Sequence, residues 1–101
     1  MARLIWTERA IADLADIAEY IAIDTPEAAR RVVARVYAHV SQLSKHPLSG
    51  PLPPEINDQR YRQITEPPCR VIYRYDDENV RVIYVMRAER ILRLSILGDR
   101  E

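Results

Sequence analysis

Phenylalanine is absent from these 101 residues, cysteine occurs once, glycine twice, and lysine is represented by Lys45 alone. A lone Cys69 excludes an intramolecular disulfide and fits a reducing compartment. Free thiols of this kind are most often buried spectators. With Gly50 and Gly98 the sole glycines, a glycine-rich phosphate loop is excluded. The two histidines, His39 and His46, have no second pair of ligands at zinc-like spacing. Neither a metal nor another cofactor is therefore expected. No apolar run approaches the ~20 residues that cross a bilayer, and Met1 to Trp6 is too short, and too soon followed by charge, for a signal peptide. The expectation is a cytoplasmic protein without membrane contact.

What is present is ordinary for one globular domain spanning residues 1–101: 48% hydrophobic and 30% charged residues. Formal net charge is zero, but its distribution is uneven. Residues 1–29 carry six acids against Arg3 and Arg9, and the remainder is basic by the same margin. Every base except Lys45 is arginine, whose planar fork of donors suits carboxylate or phosphate.

Residues 2–6 read as a short strand, with Thr7 as the cap of a helix running from Glu8 to about Ile23. Ile11, Leu14, Ala18 and Ile21 recur at spacings of three and four and mark its apolar face. Asp13, Asp16 and Glu19 are expected to face water. A second helix starts at Thr25 as cap, Pro26 at the first position and Glu27 in the first turn. Its buried face is Ala29, Val32, Val33, Val36, Val40 and Leu43, and Arg31, Arg35 and His39 follow one another on another side. The short turn at Asp24 predicts an antiparallel helical hairpin. From His46 to Asp58 four prolines and Gly50 impose an irregular connection. Residues 60–65, 69–75 and 80–87 then read as strands, the last two joined by a turn at Asp76 to Asn79. The tail from Ala88 to Leu97 is apolar but fits no element. The order predicts a two-layer α+β domain, β-α-α-β-β-β.

Strand alternation sets Arg70, Ile72 and Arg74 against Val71, Tyr73 and Tyr75. It likewise pairs Arg60 with Arg62, and groups Arg81, Ile83, Val85 and Arg87. If the helices cover one face, the other is left with arginines around apolar residues, able to hold phosphates or an acidic peptide. Its bland counterpart is a solvated face of cross-strand ion pairs. No Ser-His-Asp set can be assembled. Metal-free RNA cleavage would need proton-transfer groups beside a cation, for which His46, Glu55, Tyr61 and Tyr73 are the candidates. Tyr61 and Tyr73 equally suit half-buried packing.

The segments LIWTERAIADLADIAEYI, TPEAA, LSKHPLSG and RVIYRYDDENVRVIYVMRAER, in this order and spacing, resemble the ParE/RelE toxin superfamily over nearly the whole chain. The resemblance implies an N-terminal strand and α-helical hairpin packed on a curved antiparallel sheet. It implies a type II toxin, silenced by the C-terminal segment of a cognate antitoxin that wraps it. ParE-like members inhibit DNA gyrase; RelE-like members enter the ribosome and cleave mRNA without metal. Arg70 and Arg87 resemble arginines of the RelE-type nucleases, which with Tyr61 form the nuclease alternative. Those nucleases also place a Tyr or His near the C-terminal end and lysines in a loop. Here RAERILRLSILGDRE contains neither Tyr nor His, and only Lys45 is near, so the ParE branch is favoured. Arg60, Arg62, Arg70, Arg74, Arg87 and Arg90 are the residues expected to bind target or antitoxin. A non-toxic binding module for an acidic partner is the third reading.

Overall fold

The computed structural model describes residues 1–100. Strand β1 (Arg3–Trp6) leads into helix α1 (Glu8–Asp24) and then α2 (Pro26–Ser41), which ends in a 3₁₀ turn at Gln42–Ser44. After the irregular connection come β2 (Tyr61–Glu66), β3 (Cys69–Tyr75) and β4 (Asn79–Arg87), and the chain closes with α3 (Leu94–Arg100). The α+β class and the β-α-α-β-β-β order are as the sequence implies, with α3 added in the tail that resisted assignment.

One sheet is formed, in the order β1-β4-β3-β2. The three later strands are antiparallel, and β1 joins the outer edge of β4 in parallel, pairing Arg3 with Asn79 through Trp6 with Val82. Thr7 serves two elements at once. Its hydroxyl accepts from the Ala10 N–H, capping α1, and donates to the Val82 carbonyl where β1 ends. Thr25 occupies the cap position of α2 without a side-chain hydrogen bond. That start rests on Pro26, whose missing N–H is needed least at the first helical position.

The hairpin covers one face of the sheet. Leu14, Val32, Val36, Val40 and Leu43 pack there with Val71, Tyr73, Val80, Val82 and Val85. The row of α1 that reaches this core is Ala10, Leu14, Ile17 and Ile21. Ile11, expected on that face, is exposed, because one residue turns the helix by about 100° away from the Ala10 row.

The opposite face, expected to be open and arginine-bearing, is covered. Tyr61, Ile72, Ile83 and Met86 pack there with Leu92 and Leu97 from the tail, and with Ile56 from the irregular connection. The expected grouping of Arg81, Ile83, Val85 and Arg87 also fails. Between Ile72 and Tyr73 the ladder shifts, so that Tyr73 faces Val82 while Ile72 faces Tyr84. The unpaired residue is Ile83, a β-bulge that resets the alternation. Val85 therefore joins the helix side and Met86 the other. The first of the three later strands begins one residue later than expected. Arg60 lies in the preceding turn, gripped by Asp58.

The free edge of β2 is shielded by the irregular connection. Gln63 N–H donates to the Pro51 carbonyl, and Arg62 donates to the carbonyls of Leu48 and Gly50. Tyr73 reaches the same loop from the core, donating to Pro47 and accepting from the Gly50 N–H. Glycine is required at that contact: a Cβ on residue 50 would lie 2.3 Å from the Gln63 carbonyl oxygen.

Candidate functional site

The sequence places Arg70 second in β3, on the side facing away from the hairpin. There its side chain is 7% exposed, more deeply buried than the Arg100 and Asp13 side chains of the other enclosed ion pair. An arginine can survive such burial only if its donors are matched. They are. Nε and Nη2 donate to the Gln63 side-chain oxygen, at 3.1 and 2.6 Å. Nη1 and Nη2 donate to the two carboxylate oxygens of Glu55, at 2.6 and 2.8 Å. Nη1 also donates to the Arg90 carbonyl at 3.0 Å. These five bonds use the guanidinium's five N–H groups.

Glu55 completes the network by accepting from the Leu92 N–H. The bidentate bonds from Arg70 lower its carboxyl from 4.5 to about 2, against the opposing push of burial, and the Leu92 bond assists. The pair thus ties together the proline-rich connection, β2, β3 and the tail. None of this needs a ligand.

A cleft of about 650 Å³ opens elsewhere, between the outer side of α1, the later half of β4 and the tail. Its walls carry Asp13, Asp16, Ile17 and Tyr20 from α1, Tyr84 to Arg87 from β4, and Glu89, Arg90 and Arg100 from the tail. Its origin is topological. β1 pairs with β4 only through Val82, so the edge of β4 beyond that point has no neighbouring strand. Side chains serve this edge instead. Asp13 accepts from the Val85 N–H at 3.1 Å, and Arg100 donates to the Ile83 carbonyl at 3.2 Å. Asp13 and Arg100 also form a bidentate pair with each other. The expectation that Asp13 faces water is thereby corrected: a carboxylate stands where a strand's carbonyl would be. Two cation–π contacts line the same cleft, Arg100 over Tyr84 at 4.1 Å and Arg87 over Tyr20 at 4.8 Å.

The residues singled out in the sequence divide between these places. Arg87 and Arg90 line the cleft. Arg70 is enclosed, Arg62 holds the connection, and Arg60 is exposed beside Asp58, whose carboxyl it lowers to about 2 by hydrogen bonding. Arg74 lies in β3 opposite Tyr61 and Arg81. Tyr61 is buried in the smaller core, with Arg60 over its ring. Tyr73 is buried under the Gly50 loop, where burial raises its hydroxyl. His46 is exposed, and His39 bonds Glu66 at 3.0 Å. Cys69 is buried and its thiol raised by desolvation. Among the described residues no group of three His, Cys, Asp or Glu side chains is placed to hold a metal. No helix there is long and apolar enough to cross a membrane.

Sequence reasoning missed Gln63, Arg100, Tyr20 and Tyr84, and treated Asp13 as a solvated charge. Asp13 and Arg100 stand at opposite ends of the chain, and no local pattern links them. Tyr20 carried a faint signal, being an aromatic outside the apolar row of its helix.

Residues 4–92 match the family described as the ParE toxin of the type II toxin–antitoxin system, parDE. Y4kP of Sinorhizobium fredii, which bears the name of a candidate toxin, is 38% identical over 85% of this chain and 88% of its own length. Toxin RelE2 of Caulobacter vibrioides is 31% identical over 90% of this chain and all of its own. Among solved structures, a chain of the chromosomal ParDE system from P. aeruginosa superposes with a TM-score of 0.75. That match covers 88% of this chain and 98% of the other at 23% identity, a likeness of fold.

Proposed function

The chain belongs to the ParE toxin family of type II toxin–antitoxin systems, and on that premise we propose that it arrests growth by inhibiting DNA gyrase. The observation that carries this reading is the enclosure of Arg70. In the nuclease alternative Arg70 would meet the scissile phosphate, with Arg87 beside it and Tyr61 moving a proton. Here the five donors of Arg70 are spent on Glu55, Gln63 and a backbone carbonyl, and Tyr61 is 2% exposed. A general acid or base must come within hydrogen-bond reach of the proton it moves. Loss of one such group costs about 10² to 10⁴ in rate.

The antitoxin that the family implies is assigned to the cleft between α1 and β4. An extended segment there could add to the edge of β4 by displacing the Asp13 and Arg100 side chains that serve it in the free chain, meeting Arg87 and Arg90 with its carboxylates. Arg60, Arg62 and Arg74 lie outside this cleft, and Arg62 and Arg70 act by holding the scaffold. The target is a separate matter from the antitoxin, and two assays on one purified sample decide it. Gyrase supercoiling should be inhibited, and primer extension on programmed ribosomes should show no codon-positioned cuts. Cuts with unimpaired supercoiling would move the protein to the RelE branch.

A further inference from the structure

The sheet face that the tail covers ends in a belt of arginines. Leu4 and Trp6 pack toward the hairpin, and so do Tyr73, Tyr75, Val80 and Val82. Strand alternation therefore turns Arg3, Ile5, Arg74 and Arg81 to the opposite face. In register Ile5 stands beside Arg81, Arg81 beside Arg74, and Arg74 beside Tyr61. Arg60 lies over the Tyr61 ring at 5.4 Å. Arg3 and Arg60 are exposed, Arg74 and Arg81 half-buried. The belt thus crosses the sheet from β1 to the start of β2, about 14 Å at ~4.8 Å per strand.

Like charges directly opposite in neighbouring strands repel, and Arg74 and Arg81 are such a pair. Two carboxylates lie within reach of these charges, and the protein already uses both. Asp58 is lowered first by hydrogen bonds from Arg60 and then by the charge of Arg74. Asp76 is lowered first by the N–H groups of Asn79 and Glu78, and less by Arg81. Asp77 and Glu78, next in the turn, line a pocket with Lys45 and Tyr75 on the hairpin side. Four arginines thus meet two carboxylates, an excess that a bound anion would relieve.

We propose that this belt binds the phosphate backbone of duplex DNA. A guanidinium presents parallel donors that fit phosphate oxygens, and Arg74 with Arg81 can hold one phosphate between them. The duplex carries one charge per ~1.7 Å of its axis, so several phosphates fall within the width of the belt. An acidic protein is the poorer occupant. Protein interfaces are built round an apolar core, whereas here Tyr61 is sealed at 2% exposure and Ile5 is only half open. The choice of DNA over RNA rests on the gyrase reading, which puts the toxin beside DNA. The belt shares no residue with the walls of the antitoxin cleft, so the two sites can be filled separately.

The test is fluorescence anisotropy of a short labelled duplex of arbitrary sequence, titrated with the full chain freed of antitoxin. No gyrase is present, so failure would leave the gyrase reading untouched. The salt series is centred around 0.1 M, where charges more than about 10 Å apart are screened. Wild-type protein should bind with a log–log salt slope of about 3, at roughly 0.9 per phosphate contact. Arg74→Glu with Arg81→Glu should weaken binding at least ~10-fold. Should circular dichroism show that this reversal unfolds the chain, Arg74→Gln with Arg81→Gln must still lower the slope by about 2. Arg30→Glu with Arg31→Glu makes the same charge change on an exposed turn of α2, across the sheet, and should stay within about 2-fold of wild type. Absence of binding overturns the proposal, and so does an equal loss in the α2 variant. Tighter binding of duplex RNA also overturns it, as does polyglutamate that competes as well as unlabelled duplex, charge for charge.

Discussion

The two faces of the sheet are buried by different means. Against the hairpin the sheet meets two regular helices, and the contact is made almost wholly by aliphatic side chains at helical and strand periods. On the other face an irregular connection and a seven-residue helix do the covering, and neither presents a continuous apolar stripe. What holds them is a buried ion pair with its amide and backbone partners. The difference teaches where directional bonding is needed. A helix satisfies its own backbone and needs only apolar contact to dock. An irregular segment brings unsatisfied backbone groups, which must find partners one by one. Arg70 and Glu55 supply those partners.

The most forceful way to break this comparison is to truncate Arg70. Arg70→Ala should cost about 4 kcal/mol, since it strands Glu55 and Gln63 without their partner. Leu14→Ala, in the aliphatic face, should cost about 3 kcal/mol by cavity formation. Urea denaturation measures both, and hydrogen exchange separates them. The Arg70 variant should lose protection first at Leu92 and the tail, the Leu14 variant across the hairpin. Arg70→Met with Glu55→Leu should recover much of the loss, because apolar replacement of a whole buried pair is often tolerated. A double variant no better than Arg70→Ala would mean that the pair cannot be exchanged for packing.

The same contrast governs how much of the molecule was legible. The range of β3 was read without error, and the buried face of α2 was recovered in full, because period and capping are local signals. Parallel pairing of β1 with β4 joins residues more than seventy apart and leaves no local trace. The bulge at Ile83 hid for another reason. Both sides of β4 are apolar, so its pattern cannot report a break in alternation. Arg70 and Glu55 were each found as residues but not as partners, and Gln63 was missed. Glu55 sits in a segment whose composition says only that the chain turns, and Gln63 in a strand whose pattern names no partner for it. The cleft exists because β1 is short, a property of topology that residue types do not encode.

Acid reaches the ion pair from its other side. The Glu55 carboxyl is lowered from 4.5 to about 2 in the fold, so its contribution is complete above pH 4.5. It is lost as the pH falls from there through about 2. The total loss should be smaller than that of Arg70→Ala, because a protonated Glu55 stays in place and still accepts through its carbonyl oxygen. Asp58 and Asp76 are lowered as well, by Arg60 and by backbone N–H groups respectively, and they act in the same direction. Denaturation midpoints from pH 6 to pH 2 should therefore fall less steeply in Arg70→Met with Glu55→Leu than in wild type. Equal slopes would assign the acid sensitivity elsewhere.

Gly50→Ala tests where the two faces meet, because the loop at Gly50 is anchored by Tyr73 from the aliphatic core and by Arg62 from β2. The added Cβ would press on the Gln63 carbonyl at 2.3 Å and on the Tyr73 hydroxyl at 2.8 Å. Overpacking of this kind costs about 2 kcal/mol. A backbone carbonyl in a paired strand cannot step aside cheaply, so the loop itself should lift. Its departure would expose Tyr73, and fluorescence quenching should rise together with the loss of stability. Unchanged stability would show that the loop accommodates a methyl group without leaving the edge of β2.

The smallest effect sharpens the comparison most, because it holds the chemistry constant and changes the setting. Arg35 and Glu66 form an arginine–glutamate pair like that of Arg70 and Glu55, but at 3.6 Å, with side chains 51% and 24% exposed. His39 shares the same carboxylate at 3.0 Å. In water such a pair gains little, since solvent screens the charges and two long side chains lose freedom to hold it. Glu66 also keeps His39 when Arg35 is removed, so no buried group is left without a partner. Arg35→Ala should therefore shift stability by about 0.5 kcal/mol or less, roughly a tenth of the Arg70 effect. The measurement is the difference between the two urea midpoints in one buffer, repeated at high salt. Salt should erase what the Arg35 pair contributes and leave the enclosed Arg70 pair nearly unchanged. If Arg35→Ala costs as much as Arg70→Ala, burial is not what gives the Arg70 network its strength.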